Sequence, residues 1–466
     1  MVFSSMFFLW VFLPIVLILS RVVPKKGQNL LLLLASLFFY AWGEPKYILL
    51  MLAAIFGNYL IVLLMDRFSR IKKLMLFLSV VFNVGMLGVF KYTDFFIGLI
   101  NDIAKNQVIE PKNIALPIGI SFFTFQAMSY VFDYYRGEYQ AEKNPLNVAL
   151  YISFFPQLIA GPIVKYRDIR NQLSNRAVTG EKTVEGIRRF IYGLGKKVLI
   201  ANTLAYAVDQ IYALEPIHIT GPVAWFAAAG YMLQIYYDFS GYSDMAIGLG
   251  KMFGFDILEN FNYPYISTSI REFWRRWHIS LGSWFRDYVY IPMGGNRKGE
   301  ARTCINLLIV FAVTGFWHGA ALAFLFWGLY HGILQLIERL GFRKVIDKVK
   351  PLGWVYTNLA VMIGWILFRT ESVPYSLEMV KRIFAPWHYT EGAFSVREFA
   401  GNYTILIFVL GILLMGPLQA LVKRLFPKAE KLKGSIADLV FCCLIFAVSV
   451  FSLSANTYNP FIYFRF

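Results

Sequence analysis

The sequence consists largely of long apolar runs separated by short polar stretches. A helix needs about 20 apolar residues to cross the hydrocarbon core of a bilayer. Repeated runs near that length predict an all-α, polytopic membrane protein, because a helix satisfies its own backbone hydrogen bonds within lipid. The candidate spans are residues 4–20, 29–42, 47–65, 74–90, 115–134, 147–165, 191–208, 222–238, 304–317, 320–338, 354–369, 402–420 and 437–455.

The composition agrees with a membrane location. Hydrophobic residues make up 58% of the 466 residues and charged residues only 16%, whereas soluble domains are about half apolar and about a quarter charged. Lys and Arg number 45 against 28 Asp and Glu, which gives a formal net charge of +17. In a membrane protein this excess indicates cytoplasmic loops and anionic lipid headgroups. We therefore expect membrane lipids as partners and no nucleic acid.

Some of the predicted spans are short or interrupted. The segment 147–165 contains Ser153-Phe-Phe-Pro156 and Gly161-Pro162, and prolines at this spacing favour a broken or re-entrant helix. We expect about 11 true crossings, since a crossing takes about 20 apolar residues and the shorter segments fall below that length. With no Gly/Ser linker or repeat in the sequence, we expect one membrane domain, residues 1–466.

The basic loops predict how the chain is oriented. Positive charge follows the first span, in Arg21–Lys26, and the third span, in Arg67–Lys73, whereas residues 43–46 between spans two and three are nearly neutral. The basic loops should be cytoplasmic, with the N-terminus outside a cell inner (cytoplasmic) membrane. The basic stretch 166–190 returns to the cytoplasm if 147–165 is re-entrant. The start of the chain lacks a basic n-region and a small-residue cleavage site, which predicts a retained first span.

Motifs for metals, nucleotides and serine hydrolysis are missing from the sequence. Its three cysteines have neither disulfide nor metal spacing, and it has no Gly-x-Ser-x-Gly or His-Glu-x-x-His run. Gly193-Leu-Gly-Lys196 and Gly248-Leu-Gly-Lys251 lack the spacing of a phosphate-binding loop, so their glycines indicate tight helix packing. We expect no bound metal and no bound cofactor.

Two histidines lie in strongly apolar surroundings. His318 stands in Thr314-Gly-Phe-Trp-His-Gly-Ala320, and His278 ends Phe273-Trp-Arg-Arg-Trp-His278. A polar ring at membrane depth is costly unless it has a function or a partner. Two such rings suggest proton transfer at an enclosed site, and the alternative is that each is a hydrogen-bonded core residue. A neutral buried histidine can act as a general base that deprotonates a hydroxyl for attack on an activated acyl carbonyl.

Residues 255–300 are too polar for a span and too aromatic for an ordinary loop. Ser269-Ile-Arg-Glu272 fits a capping box and predicts the start of a helix. At 100° per residue, a continuous helix would place on one face Trp274, His278, Leu281 and Phe285. An interfacial helix explains the Trp and Arg residues of this stretch equally well, but it does not explain the histidine in the apolar stripe.

Two carboxylates end the apolar run at 222–238. Asp238 and Asp244 are costly at that depth unless they are paired. We expect structural pairing rather than carboxylate catalysis, with these candidate partners: Arg271, Arg275, Arg276 and Arg286.

Three histidines remain. His331 lies 13 residues after His318, about 220° around a continuous helix, so the two would not share a face. His218 and His388 lie in loop-like stretches and are expected to be solvated.

Five ordered motifs resemble the membrane-bound O-acyltransferase (MBOAT) family, and most closely its bacterial alginate O-acetyltransferase branch. They are Pro117–Phe125, Phe155–Pro162, Tyr237–Asp244, Phe273–Leu281 and Gly315–Ala320. The resemblance implies an MBOAT-type helical bundle around a central funnel, with re-entrant and interfacial helices. It also implies that His318 is catalytic and that His278 is a second active-site residue that orients or polarises the thioester. Further candidates for substrate binding are Trp274, Arg275, Trp317 and Asp238.

The resemblance implies transfer of an acetyl group from a cytoplasmic donor, acetyl-CoA or another acyl thioester, for O-acetylation of an extracytoplasmic, alginate-like polysaccharide. An extracytoplasmic SGNH-hydrolase-like acetyltransferase is the expected partner. Two alternatives remain open. One is D-alanyl transfer from a carrier protein to teichoic acid, and the other is a transporter without covalent chemistry, which broken helices and intramembrane polar groups also fit.

Overall fold

The computed structural model describes residues 1–387, 394–416, 434–455 and 458–462, together with Leu418, Leu421 and Leu425. Over these residues the protein is built of helices, and β-pairing is confined to one isolated bridge between Ile219 and Phe394. The predicted all-α class is therefore confirmed. His388 and part of the predicted span 402–420 lie outside the described residues.

The chain divides into two compact units. Unit 1 comprises residues 1–190 and 245–258, and unit 2 comprises residues 191–244 and 259–466. The expectation of a single membrane domain stays a prediction. Each unit is described by itself below.

Unit 1 contains the N-terminal helices. They are α1 (Leu13–Val22), α2 (Lys25–Gly43), α3 (Ile48–Arg67), α4 (Lys72–Leu87), α5 (Thr93–Ala104), α6 (Ile120–Tyr135), α7 (Pro145–Ser153), α8 (Phe155–Leu158), α9 (Tyr166–Ser174) and most of α10 (Gly180–Gly195).

The interruption predicted in segment 147–165 is confirmed within unit 1, because α7 ends at Ser153 and the four-residue α8 carries Pro156 in its first turn. Whether this segment is re-entrant stays a prediction. Gly248 approaches so closely that a β-carbon there would lie 2.6 Å from the carbonyl oxygen of Gly186. This contact agrees with the predicted packing role of Gly248.

Unit 2 carries the remaining helices. They are α11 (Asn202–Tyr212), α12 (Gly221–Met252, of which the last turns belong to unit 1), α13 (Ile270–Arg276), α14 (Ile279–Phe285), α15 (Glu300–His318), α16 (Leu322–Ile337), α17 (Arg343–Ile346), α18 (Lys350–Thr370), α19 (Val373–Phe384), α20 (Val396–Phe399), α21 (Asn402–Leu414) and α22 (Ile436–Ala455). Its core is rich in large aromatic side chains, among them Tyr265, Phe273, Trp277, Trp327 and Trp365.

Five helical segments among the described residues are long and apolar enough to cross a bilayer: Ile48–Arg67, Ser69–Ala104, Glu300–His318, Lys350–Thr370 and Ile436–Ala455. Two shorter apolar segments, Phe8–Val22 and Asn402–Leu414, add to them. The apolar helices agree with a polytopic membrane protein, and the total of about 11 crossings stays a prediction that rests on the length of apolar runs.

Helices α15 and α16 form a hairpin that is closed by two glycines. A β-carbon on Gly315 would lie 2.2 Å from the carbonyl oxygen of Phe324, and one on Gly328 would lie 2.2 Å from that of Phe311. Only glycine allows two helices to approach this closely. The contact brings the end of α15, and with it His318, against the first turns of α16.

Candidate active site

The chain breaks at the first candidate histidine. The predicted capping box is present, since the Ser269 hydroxyl accepts the Glu272 N–H at 3.1 Å and α13 begins at Ile270. The prediction of a continuous helix beyond it is wrong. Helix α13 ends at Arg276, and His278 adopts φ 45° and ψ 53° before α14 begins at Ile279. This left-handed conformation is uncommon for a residue other than glycine, and where it occurs it is often at a functional site.

Competing backbone hydrogen bonds explain the break. The Arg276 carbonyl, which a continuous helix would pair with the Ser280 N–H, accepts from the Asn262 N–H at 2.9 Å. The Ile279 N–H in turn donates to the Asn260 carbonyl at 3.0 Å. The loop 260–262 therefore replaces the bonds that would have continued the helix. The cavity described below is still lined by Trp274, His278, Leu281 and Phe285, the four residues predicted to share a face.

The start of α13 is held from a distant part of unit 2. The carboxylate of Glu338, a residue only 2% exposed, accepts the N–H groups of Ile270 at 2.6 Å and Arg271 at 3.1 Å. A carboxylate at this end also interacts favourably with the positive end of the helix dipole. Glu338 was missed by the sequence reasoning, because the capping signal at Ser269 and Glu272 is local and gives no sign of a second carboxylate 68 residues later.

Asn260 fixes the orientation of the His278 ring. This asparagine is fully buried, and its side-chain oxygen accepts the Ser280 backbone N–H at 3.2 Å and the Ser280 hydroxyl at 2.8 Å. Since a backbone N–H can only donate, the atom at this position must be the amide oxygen. The same oxygen lies 3.2 Å from His278 Nδ1, so Nδ1 carries the proton and donates. The sequence reasoning did not identify Asn260, which belongs to no recognisable motif.

The tautomer leaves His278 Nε2 as a hydrogen-bond acceptor. This buried atom has no partner among the described residues. Burial lowers the pKa of the His278 imidazole, a group between two short helices and outside the five candidate spans. The neutral ring can therefore accept a hydrogen bond or a proton at Nε2. It cannot donate from Nε2 to a carbonyl oxygen, which disfavours the expected polarising role and leaves an orienting role.

His318 is the last residue of α15 and is 5% exposed. Its ring centroid lies 6.5 Å from that of His278, 5.2 Å from Trp327 on α16 and 5.4 Å from Phe368 on α18. Side chains from α16, from α18 and from the break between α13 and α14 thus surround the ring. A separation of 6.5 Å between the ring centroids leaves room between the two rings for a hydroxyl oxygen at a hydrogen-bond distance of about 2.8 Å.

A third histidine belongs to the same aromatic cluster. His331 is fully buried, and its ring centroid lies 5.2 Å from Trp274 and 5.3 Å from Trp327. The expectation based on a continuous helix does not apply, because α15 ends at His318 and α16 begins at Leu322. The hairpin brings both His318 and His331 against Trp327. His218, by contrast, is exposed as predicted.

A cavity of about 430 Å³ opens beside His278. Its volume falls in the range of sites that hold small molecules and cofactors. The candidate binding residues Trp274 and Arg275 line it, together with the arginines Arg271 and Arg286. Trp317 lies 6.4 Å from the His278 ring, measured between ring centroids. The cavity therefore combines three guanidinium groups, an indole and the His278 imidazole, a composition that suits an anionic ligand.

Asp238 has a different environment from the one expected. Its carboxylate pairs with Lys197 at 2.8 Å, and both side chains are buried. Asp244 pairs with Lys196 at 2.6 Å. The predicted pairing is confirmed, but its predicted arginine partners are wrong. The signal was present in the sequence, since two lysines interrupt the apolar run 191–208 just before a span that ends in two aspartates.

Comparison with known proteins identifies the family. The sequence model of the MBOAT, membrane-bound O-acyltransferase, family matches residues 120–369. The "Probable alginate O-acetylase AlgI" of Pseudomonas putida is 40% identical over the whole of both chains. The "Peptidoglycan O-acetyltransferase" of Helicobacter pylori is 36% identical over 82% of this chain and 79% of its own, and the "Teichoic acid D-alanyltransferase" of Bacillus subtilis is 32% identical over 54% and 67%. The family model matches more than half of the sequence, and relatives match it over its full length. This chain therefore belongs to the membrane-bound O-acyltransferase family and is a membrane-embedded acyltransferase.

Proposed function

We propose that this protein transfers acetyl groups from a cytoplasmic thioester for the O-acetylation of an extracytoplasmic polysaccharide. The observation that carries the proposal is the approach of His278 and His318 to 6.5 Å between ring centroids, next to an arginine-lined cavity. The names of the full-length and near-full-length relatives, an alginate O-acetylase and a peptidoglycan O-acetyltransferase, support acetyl as the group and a cell-surface polymer as the destination.

The cavity is the proposed site of the donor, acetyl-CoA or another acyl thioester. Such donors carry phosphate groups, and guanidinium groups bind phosphate through paired hydrogen bonds. Arg271, Arg275 and Arg286 would hold these phosphates, while Trp274 packs against the thioester arm. The reacting carbonyl then lies toward His278, whose imidazole is part of the cavity wall.

The two histidines have separate roles. The acceptor hydroxyl donates its one proton to His318, which removes it as the oxygen attacks the thioester carbonyl, while His278 Nε2 accepts an amide N–H of the thioester arm and so orients the donor. A C–O bond forms, the C–S bond breaks, and the leaving thiolate takes the proton from the His318 imidazolium. The base must be neutral at the start of this sequence, because it has to accept a proton.

The acceptor hydroxyl belongs to a serine of an extracytoplasmic SGNH-hydrolase-like partner or to the polysaccharide itself. The protein would sit in the inner membrane with its N-terminus outside, so that the donor enters from the cytoplasm and the acetyl group leaves on the other side. The excess of basic residues in the loops at 21–26 and 67–73 supports this orientation.

The test replaces His318 by alanine and measures ester-linked groups on the cell-surface polymer. We expect His318→Ala to lose O-acetylation at equal protein level in the membrane. His218→Ala, at an exposed histidine of the same unit, is the matched control and should acetylate normally. Normal acetylation by His318→Ala would remove His318 from the mechanism. D-alanyl esters in place of acetyl esters would establish the teichoic acid alternative, and substrate flux that survives in His318→Ala would establish a transporter.

A further inference from the structure

Unit 2 contains a buried ion pair, and one member of the pair directly precedes in sequence a residue that contacts His278. Lys197, in the π-helical turn Lys196–Ala201, places its Nζ atom 2.8 Å from Oδ1 of Asp238 on α12, and the two side chains are 3% and 4% exposed. Such a pair is favourable only if further hydrogen bonds compensate for the lost hydration of both charges. The identity of those additional partners therefore matters.

The additional partners come from the segment 458–462. The Ile462 N–H donates to Asp238 Oδ2 at 2.8 Å, and Lys197 Nζ donates to the Pro460 carbonyl. Between these two contacts, Phe461 is buried, with its ring centroid 5.8 Å from Lys197 Nζ.

Two further contacts hold this segment in place. The Phe461 ring stacks on Tyr242 of α12 at 4.7 Å between centroids. Asn459 accepts a side-chain hydrogen bond from Asn202 of α11 at 3.0 Å. The segment thus contacts the ion pair through backbone groups and an aromatic ring, and it is itself held against α11 and α12.

Helix α12 connects the ion pair to the candidate active site. The residue after Asp238 is Phe239, whose ring meets the His278 ring edge to face, 4.7 Å between centroids and 87° between planes. One turn later, the Ser243 hydroxyl accepts the Asn260 side-chain N–H at 3.1 Å. Asn260 in turn holds His278 Nδ1. Two contacts therefore transmit the position of α12 to His278.

We propose that Asp238 is a positioning residue. Together with Lys197 and the segment 458–462, it holds α12 in the position that aligns this helix with His278. The inference rests on the role of His278 under the proposed function. A non-glycine residue in the left-handed region persists only where its surroundings hold it, and α12 supplies part of those surroundings. The assignment replaces substrate binding, the role expected for Asp238 from the sequence.

The first experiment measures acetyl transfer from acetyl-CoA by the purified full chain carrying Asp238→Asn. Asparagine keeps an oxygen for the Ile462 N–H but loses the charge. We expect kcat to fall on the order of 100-fold, the typical effect of misplacing a catalytic group by about 1 Å, with KM for acetyl-CoA changed less than about twofold. Asp244→Asn is the matched control on the same helix, also paired to a lysine, and should keep kcat within about threefold, because its partner Lys196 is 31% exposed and can be hydrated without the carboxylate. An equal loss in Asp244→Asn would overturn the assignment.

Asp238→Asn leaves Lys197 buried without its carboxylate, so this variant can fail to fold. A second variant keeps the inference testable in that case. Phe461→Ala leaves both charges in place but removes the ring that stacks on α12, and the same loss of kcat is expected. Normal kcat in a folded Phe461→Ala would show that the segment 458–462 does not act on the site.

The double variant Asp238→Asn/His278→Asn separates positioning from a general structural effect. If Asp238 acts through His278, the double variant is no more than about twofold worse than His278→Asn, because interacting sites are not additive. Multiplied losses would overturn the inference. Full activity of His278→Leu would overturn the proposed role of His278 and the inference together. An inactive His278→Leu beside a fully active Asp238→Asn would overturn the inference alone.

Discussion

The glycine contact within the helical hairpin makes a sharp prediction for Gly315→Ala. Gly315 lies one turn before His318 on α15. A β-carbon at position 315 would be 2.2 Å from the Phe324 carbonyl oxygen and 3.1 Å from the Gly328 Cα atom. Ordinary van der Waals contact begins at about 3.4 Å, so α15 and α16 must separate by about 1.2 Å locally.

Two opposing effects decide the outcome. Alanine is a better helix former than glycine by up to about 1 kcal/mol, whereas forcing a methyl group into a packed contact costs about 1–3 kcal/mol. The overpacking effect is larger, because the clash is with backbone atoms that cannot rotate away. We expect a modest loss of stability, and we expect kcat to fall about 100-fold, since a displacement of about 1 Å at a catalytic group costs that much.

The assay is acetyl transfer from acetyl-CoA by detergent-purified protein, with the membrane abundance of each variant measured in parallel. The matched control is Gly98→Ala on α5, where a β-carbon would meet no atom within 4 Å. This variant gains helix propensity without a clash and should keep wild-type kcat. Wild-type kcat in Gly315→Ala at equal abundance would refute the argument that the hairpin contact places His318.

Two further predictions concern His278 and the membrane orientation. His278→Leu should be nearly inactive and His278→Asn intermediate in acyl transfer, with thermal stability little changed in either. Asparagine can still accept a hydrogen bond, whereas losing such an interaction costs about 100- to 1000-fold in rate. Equal acyl transfer by His278→Leu and wild type would reduce His278 to a structural residue. Ser69→Cys should resist a membrane-impermeant thiol reagent added to intact cells, because the basic loop Arg67–Lys73 is expected to be cytoplasmic. Ready labelling would reverse the predicted orientation, and with it the assignment of the donor to the inside and the acceptor to the outside.

The class of protein and the family were readable from the sequence. Apolar runs report burial in lipid through length alone, and the motifs around His278 and His318 are contiguous, so they need no knowledge of the fold. The start of α13 was also readable, since Ser269 and Glu272 interact within one helical turn. The interruption at Ser153 likewise depends on nearby prolines.

The details of the site were decided by contacts between distant residues. His278 breaks the predicted helix because groups of Asn260 and Asn262 take the hydrogen bonds of its backbone neighbours. The partner of Asp238 is Lys197 rather than an arginine, because the fold places the turn at 196–201 beside α12.

The local sequence therefore pointed to the candidate site residues, the two histidines in apolar surroundings. Only the tertiary structure decided which nitrogen of His278 is available, since that depends on the Asn260 amide oxygen 3.2 Å away. The physical reason is that helix signals act over three or four residues, whereas the tautomer, the ion pair and the hairpin contact each join residues brought together by the fold.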